Sequence, residues 1–167
     1  MAPWQAGLLV PEPDPLKILG ALERHRVRFI LIGAAAARIS GAPVVTEDID
    51  VTPATDKANL ERLAAALKEL RARLRSPSDT SGVPFPLDAG MLRTADMWTL
   101  TTSARDLDIC FTPSGTRGYR DLRREALRTR VGPGISVSVA SLRDVIRSKE
   151  AAGRDKDPAQ LPLLRRT

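Results

Sequence analysis

The chain has 167 residues, 43% of them hydrophobic and 28% charged, with a formal net charge of +6. That is the size and balance of one globular domain able to bury its own core, and the longest apolar run, Phe29 to Ala37, is far too short to span a bilayer. A single cysteine, Cys110, and a single histidine, His25, exclude an internal disulfide framework and a zinc site of the usual kind. Any metal would therefore be held by oxygen, which favours Mg²⁺ or Mn²⁺, and the cysteine usage suits a reducing cytoplasm. The basic balance favours polyanionic partners such as nucleotides or nucleic acid, although arginines also serve as solvated helix faces.

Residues 1–14 carry Pro3, Pro11 and Pro13, which predicts an extended N-terminal arm ahead of a single domain over 15–167. The arm lacks a basic stretch followed by a long apolar core, so no secretory signal is predicted. Leu16, Ile18, Leu19 and Leu22 recur at helical spacing after Pro15, predicting a helix to Arg26. Val27 to Ile32 is β-branched and apolar and stops at Gly33, which predicts a buried strand. A short helix over Ala34–Ile39 and a strand over Thr46–Thr52 follow. Asp56 is placed to cap a long helix whose apolar stripe runs through Leu60, Leu63, Leu67 and Leu70, with Ser76-Pro77 after its end.

Ser76 to Ala89 is rich in Ser, Pro, Gly and Asp and predicts a loop. Strands are expected over Met97–Thr102 and Leu107–Thr112, then a basic helix over Tyr119–Arg130 and an alternating strand over Ile135–Val139. Ser141 caps a last helix from Leu142 to about Ala152. The order predicts an α/β (α+β) domain, a mixed sheet with flanking helices on one main face.

Asp48 and Asp50 lie two apart on a predicted strand, so both side chains leave the same face. Two bare carboxylates on one buried face repel each other and pay desolvation, whereas a divalent cation between them cancels the repulsion. Asp108 on the later strand offers a third carboxylate, with Asp106 as the alternative on the same face. Three such groups beside a glycine turn can hold two cations for in-line phosphoryl transfer, one at the attacking hydroxyl and one at the leaving pyrophosphate. The plain alternative is that Glu47, Asp48 and Asp50 decorate an exposed strand edge, where acidic residues deter pairing.

Residues 27–52, a strand, Gly33-Ala34, a short Ala-rich helix, Gly41 and then Thr46-Glu-Asp-Ile-Asp50, resemble the signature of polymerase-β-type nucleotidyltransferases. The pattern is most similar to the abortive-infection (AbiEii-like) and Men-type toxin nucleotidyltransferases, and antibiotic nucleotidyltransferases share the outline. The resemblance implies a turn at Gly33-Ala34 that cradles the triphosphate, with Thr46 beside it. It implies Asp48, Asp50 and Asp108 as catalytic metal ligands for Mg²⁺ (or Mn²⁺). The strand, Ser-capped helix and Lys, Arg-x-Lys-Asp ending over Val137–Asp157 resemble the family again. There Lys149 would contact nucleotide phosphate, and Arg154, Lys156 and Asp157 would shape the rim. Two features depart from the family pattern: Ala34 stands where a second Gly or a Ser is usual, and Val44-Val45 where an Arg often precedes the Thr.

The resemblance implies transfer of a nucleotide from an NTP to an RNA, such as a tRNA 3′ end, by a cytoplasmic toxin with a cognate antitoxin and no membrane partner. The arginines of the predicted basic helix (Arg120, Arg123, Arg124, Arg128, Arg130) either track an RNA backbone or form a solvated face. Two alternatives stand beside this: nucleotide transfer to an aminoglycoside or lincosamide antibiotic, and a catalytically weakened module for nucleotide or protein binding. Cys110 reads as a packed small residue, and His25, between Arg24 and Arg26, is a poor metal ligand. Ser40 has no histidine partner for a hydrolytic triad. Trp4 and Trp98 could equally be core, interface or acceptor platform.

Overall fold

The computed structural model describes residues 15–42, 48–153, 161–162 and 164–165. The predicted N-terminal arm, and with it Trp4, lies outside them.

Helix α1 (Pro15–Arg24) buries Leu16, Ile18, Leu19 and Leu22 and leads into strand β1 (Phe29–Ile32). The chain reverses at Arg26 (φ 57°), two residues after the helix ends. Helix α2 (Gly33–Ile39) starts directly on the end of β1, and strand β2 (Ile49–Pro53) returns antiparallel to it. Helix α3 (Lys57–Glu69) is capped by the Asp56 carboxylate, which accepts from the Asn59 N–H at 3.2 Å. Asn59 itself is fully buried, and its amide bridges Arg28 N–H (2.7 Å), Arg28 C=O (3.0 Å) and Ala54 C=O (2.7 Å). One buried side chain thus satisfies three backbone groups and fastens α3 to the edge of β1.

The chain turns out of α3 at Arg71 (φ 54°) and enters strand β3 (Arg73–Ser76), which pairs with β4 (Asp79–Val83). The sequence had predicted a loop from Ser76 to Ala89; instead a hairpin occupies its first part. Pairing across the sheet wins over the loop-forming composition here, because Leu74 lies opposite Leu100 and continues the apolar face. Helix α4 (Ala89–Leu92) precedes β5 (Met97–Thr101) and β6 (Leu107–Cys110).

The predicted basic helix over Tyr119–Arg130 is a second correction. Only α5 (Tyr119–Arg123) is helical, and Leu127–Gly132 forms β7, paired antiparallel with β8 (Ile135–Val139). The cause is the Pro133-Gly134 turn: proline presets the first turn position and Gly134 adopts φ +68°, which closes a tight hairpin and draws the preceding residues into a ladder. Helix α6 (Leu142–Ala152) closes the described core. Ser141 accepts from the Asp144 N–H at 3.1 Å at its start, and Gly153 (φ 59°) takes the left-handed conformation at its end.

The strands form one sheet in the order β4-β3-β5-β6-β2-β1-β8-β7. Pairing is antiparallel except at β1/β8 and β2/β6. The result is a single α/β domain with a mixed, mostly antiparallel sheet and flanking helices. The helices are not confined to one main face. On the face carrying Ile49, Val51, Ile109, Trp98 and Leu100, α4 receives the Trp98 indole N–H at its Leu92 carbonyl (3.2 Å), and α3 packs on both α4 and α1. Opposite, α6 packs on α2 and overhangs the face that carries Asp50 and Asp108. Trp98 is therefore a core residue, stacked on Phe85 at 5.3 Å between ring centroids. Among the described residues, no helix is long and apolar enough to cross a membrane.

Candidate functional site

Strand register builds the site. Ile32 at the end of β1 lies opposite Asp50 on β2, and Asp50 is the parallel neighbour of Asp108 on β6. Because side chains alternate, the buried residues Ile49, Val51, Leu107 and Ile109 take one face and Asp50 and Asp108 share the other. The two carboxylates are thus adjacent on neighbouring strands, at the point where β1 turns into α2.

Gly33 makes that closeness possible. Its φ of +68° is a conformation other residues rarely hold, and a Cβ there would collide with Asp50 Oδ2 and lie 3.2 Å from Asp50 Cγ. The missing side chain is a cradle for the Asp50 carboxylate. Lys149, on α6, faces the same space. A lysine is seldom buried, yet Lys149 is only 7% exposed, so its cationic end is held inward and not toward solvent. Gly33, Asp50, Asp108 and Lys149 line one cavity of about 320 Å³.

Other candidates fall differently. Asp48 is half-buried, two residues before Asp50 at the mouth of β2, and Ala34 is half-buried in the first turn of α2. Neither lines the cavity wall. Thr46, Glu47, Val44, Val45, Arg154, Lys156 and Asp157 lie outside the described residues. His25 pairs with Glu69 at 3.1 Å, in company with Arg24, and stands away from the cavity.

The structure adds groups that the sequence reading did not single out. Asp96, Met97, Thr112, Ser114, Asp144 and Ser148 also line the cavity. Asp144 sits at the start of α6, where burial pushes its carboxyl upward against the opposing pull of Arg147 at 3.2 Å. Arg147 also reaches Asp121 at 3.0 Å, whose carboxyl is held below its ordinary range, first by the Arg117 backbone N–H and then by Arg147. Cys110 lines the cavity too. Burial pushes its thiol up and the nearby Asp96 carboxylate adds to this, so it stays a protonated, packed thiol and a poor nucleophile.

Arg75 is the most consequential addition. From β3 it reaches across β5 and donates from Nη2 to Asp108 Oδ1 (2.8 Å) and to the Leu100 carbonyl (3.0 Å). Its Nε lies 3.2 Å from Asp106 Oδ2 as an ion pair, without making a hydrogen bond. Both candidates for the third carboxylate are thus gathered on one guanidinium. The period-two alternation Arg73-Leu74-Arg75 was a strand signal in the sequence, but the Ser-Pro pair that follows it masked the reading.

Among the described residues, no group of three or more Asp, Glu, His or Cys converges in the manner of a complete metal centre. The donors that do meet, Asp50 and Asp108, are hard carboxylate oxygens of the type that Mg²⁺ and Mn²⁺ prefer. The cleared space at Gly33 leaves Asp50 Oδ2 close to the backbone at the start of α2. In donor type the two carboxylates suit such a cation, and one oxygen of Asp108 is already engaged by Arg75.

No family model and no curated protein matches the chain. Solved structures do. The antibiotic-resistance factor ANT(2″)-Ia in solution superposes with a TM-score of 0.55 at 16% identity, over 89% of this chain and 79% of that one. The same factor in complex with adenylyl-2″-tobramycin gives 0.55 at 16% identity, over 89% and 84%. TM1012 of Thermotoga maritima, assigned as a nucleotidyltransferase, gives 0.53 at 17% identity, over 88% and 87%. At such identities the likeness is one of fold: the domain is built as nucleotidyltransferases are built.

Proposed function

We propose that this domain is a divalent-cation-dependent nucleotidyltransferase that moves a nucleoside monophosphate from an NTP to an acceptor hydroxyl. The observation that carries the reading is the row formed by Gly33 just past the end of β1, Asp50 on β2 and Asp108 on β6, with a buried lysine facing it. In this reading Asp48, Asp50 and Asp108 hold Mg²⁺ (or Mn²⁺), which when bound supplies charge neutralisation at the reacting phosphate. The chain's own part is to bind and orient. Among the described residues that line the cavity, Lys149 is the one cation beside the carboxylates of Asp50, Asp96, Asp108 and Asp144, and so favours the triphosphate over a neutral ligand. By the sequence resemblance, the Gly33-Ala34 turn lies toward the triphosphate, and Thr46, Arg154 and Asp157 are the further candidate nucleotide contacts. In the transfer, the acceptor oxygen bonds to the α-phosphorus, the bond to the β-phosphate oxygen breaks, pyrophosphate leaves with that electron pair, and the hydroxyl proton passes to solvent.

The acceptor we favour is RNA, such as a tRNA 3′ end, in the manner of a toxin held in check by an antitoxin. The sequence resemblance and the +6 charge support it, since polyanion binding gains from each neutralised phosphate. A second reading, transfer to an antibiotic, is favoured by the fold likeness to ANT(2″)-Ia. The net charge of +6 weighs against it at long range, whereas the carboxylates lining the cavity would suit a cationic acceptor. One experiment separates them: Mg²⁺, each of four α-labelled NTPs, and either total tRNA or a panel of aminoglycosides and lincosamides. Label on RNA that disappears in Asp50→Asn supports the first reading and label on a drug the second. No transfer to either acceptor with any NTP would sink the enzymatic reading.

A further inference from the structure

The row that carries the candidate site does not stop at Asp108. Thr99 of β5 pairs with Asp108, and β3 lies against β5 with Arg73 opposite Thr101 and Leu74 opposite Leu100. Continuing that register brings Arg75 level with Thr99. Neighbouring strands lie about 4.8 Å apart, so Arg75 must cross roughly twice that to reach Asp108, within the span of an extended arginine. Thr99, the residue crossed, is short. Its carbonyl neighbour Leu100 accepts from the same Nη2, which pins the guanidinium to the sheet.

The guanidinium is therefore a partly exposed cation seated on two acidic side chains, one of which also forms the cavity wall. We propose that Arg75 is a positioning residue that sets the divalent-cation affinity of the site through Asp108, an inference that rests on the metal-dependent reading above. It fixes the Asp108 carboxylate by one oxygen and offsets its charge. A divalent cation must then share Asp108 with Arg75 or displace it. Two opposing effects follow from losing Arg75: Asp108 becomes freer to rotate, which weakens a chelate, and the site gains net negative charge, which strengthens one. The second effect wins. The guanidinium at 2.8 Å offsets the negative charge of Asp108 whichever oxygen a cation takes, whereas a carboxylate loses little freedom in turning about a single torsion.

The test is Mn²⁺ titration of the full chain by calorimetry, with circular dichroism and thermal melting as the check on folding. Arg75→Gln is expected to bind Mn²⁺ several-fold to roughly tenfold more tightly than wild type. The gain should vanish in the Arg75→Gln/Asp108→Asn double variant. Arg75→Lys keeps a charge but not the fork that spans both carboxylates, and should fall between. Circular dichroism and the melting temperature separate tighter binding by a folded variant from nonspecific Mn²⁺ uptake by freed carboxylates; Arg75→Lys serves if the glutamine variant does not fold. In transfer assays the half-saturating Mg²⁺ concentration should fall along with kcat, because Asp108 is no longer held in one orientation. Unchanged or weaker Mn²⁺ binding in folded Arg75 variants, with wild-type binding still dependent on Asp50, would overturn this inference and leave the metal site standing. No Mn²⁺ binding by wild type or either variant would overturn both.

Discussion

Strands β1 and β5 belong to one sheet but live in different surroundings. Phe29, Ile30 and Leu31 of β1 are buried in succession, so both faces are covered. On β5 burial alternates: Trp98 and Leu100 are buried, while Met97 and Thr99 are exposed. The difference teaches where this domain can do chemistry. A strand covered on both faces can present only its end, and β1 does so at Gly33. A strand with one open face can present side chains along its length, and the open face of β6, β5 and β3 carries Asp108, Thr99 and Arg75 in a row.

The comparison breaks first on stability. Leu31→Ala in the doubly covered strand is expected to cost about 2–5 kcal/mol, because the cavity it leaves is enclosed and cannot collapse. Val83→Ala at the exposed end of β4 should stay within about 0.5 kcal/mol. Urea denaturation of the two variants measures both. Similar costs would mean that the two halves are equally buried and the contrast is false.

A sharper probe is Gly33→Val, placed where the covered strand meets the open face. The β-branched residue must hold a positive φ, at about 1–3 kcal/mol, and its Cβ displaces the Asp50 carboxylate. The melting temperature should fall, and nucleotidyl transfer should fall to background. A variant with wild-type melting temperature and undiminished Asp50-dependent Mn²⁺ binding would show that the close approach is unimportant. Smaller still is Ser141→Ala, which removes the cap of the helix bearing Lys149 and should cost about 1 kcal/mol by thermal or denaturant unfolding.

Much of the covered half was legible in the sequence. The run Phe29–Ile32, the break at Gly33 and the Ser141 cap each declare themselves locally, through apolar continuity, backbone freedom and a side-chain acceptor. Gly33, Asp50, Asp108 and Lys149, picked out from the sequence, do line one cavity. The open half was harder to read. Arg75 was missed because Arg73–Ser76 is short, polar on one face and followed by Pro77, so its strand character comes from pairing with β5 and not from its own composition. The Tyr119–Arg130 segment failed for a related reason: its arginines suit a helix or an edge strand equally, and the Pro133-Gly134 turn decided between them. Arg128 then pairs with Glu23 of α1 at 2.8 Å and is not part of a continuous basic helix face.

The smallest expected effect concerns the Asp121–Arg147–Asp144 cluster, where α5 meets α6 beside the cavity. Its two carboxyls are shifted in opposite directions, so their contributions to acid stability oppose each other. The Asp121 carboxyl is held below its ordinary range in the folded state, so its stabilising contribution is complete above about pH 4 and is lost as pH falls through the folded value. Asp144 is raised by burial. The fold therefore favours its protonated form, and that contribution is present below the ordinary carboxyl value and lost as pH rises through the folded one. Melting temperatures of Asp121→Asn and Asp144→Asn, each compared with wild type from about pH 6 down to about pH 3, should separate the two. The deficit of Asp121→Asn should shrink with acid. Asp144→Asn should lose ground relative to wild type over the same range, because protonation relieves in wild type the burial penalty that asparagine never carries. Parallel slopes would mean that Arg147, shared by both carboxylates, dominates over the burial of Asp144, and that the two halves of the pair respond to acid as one ion-paired unit.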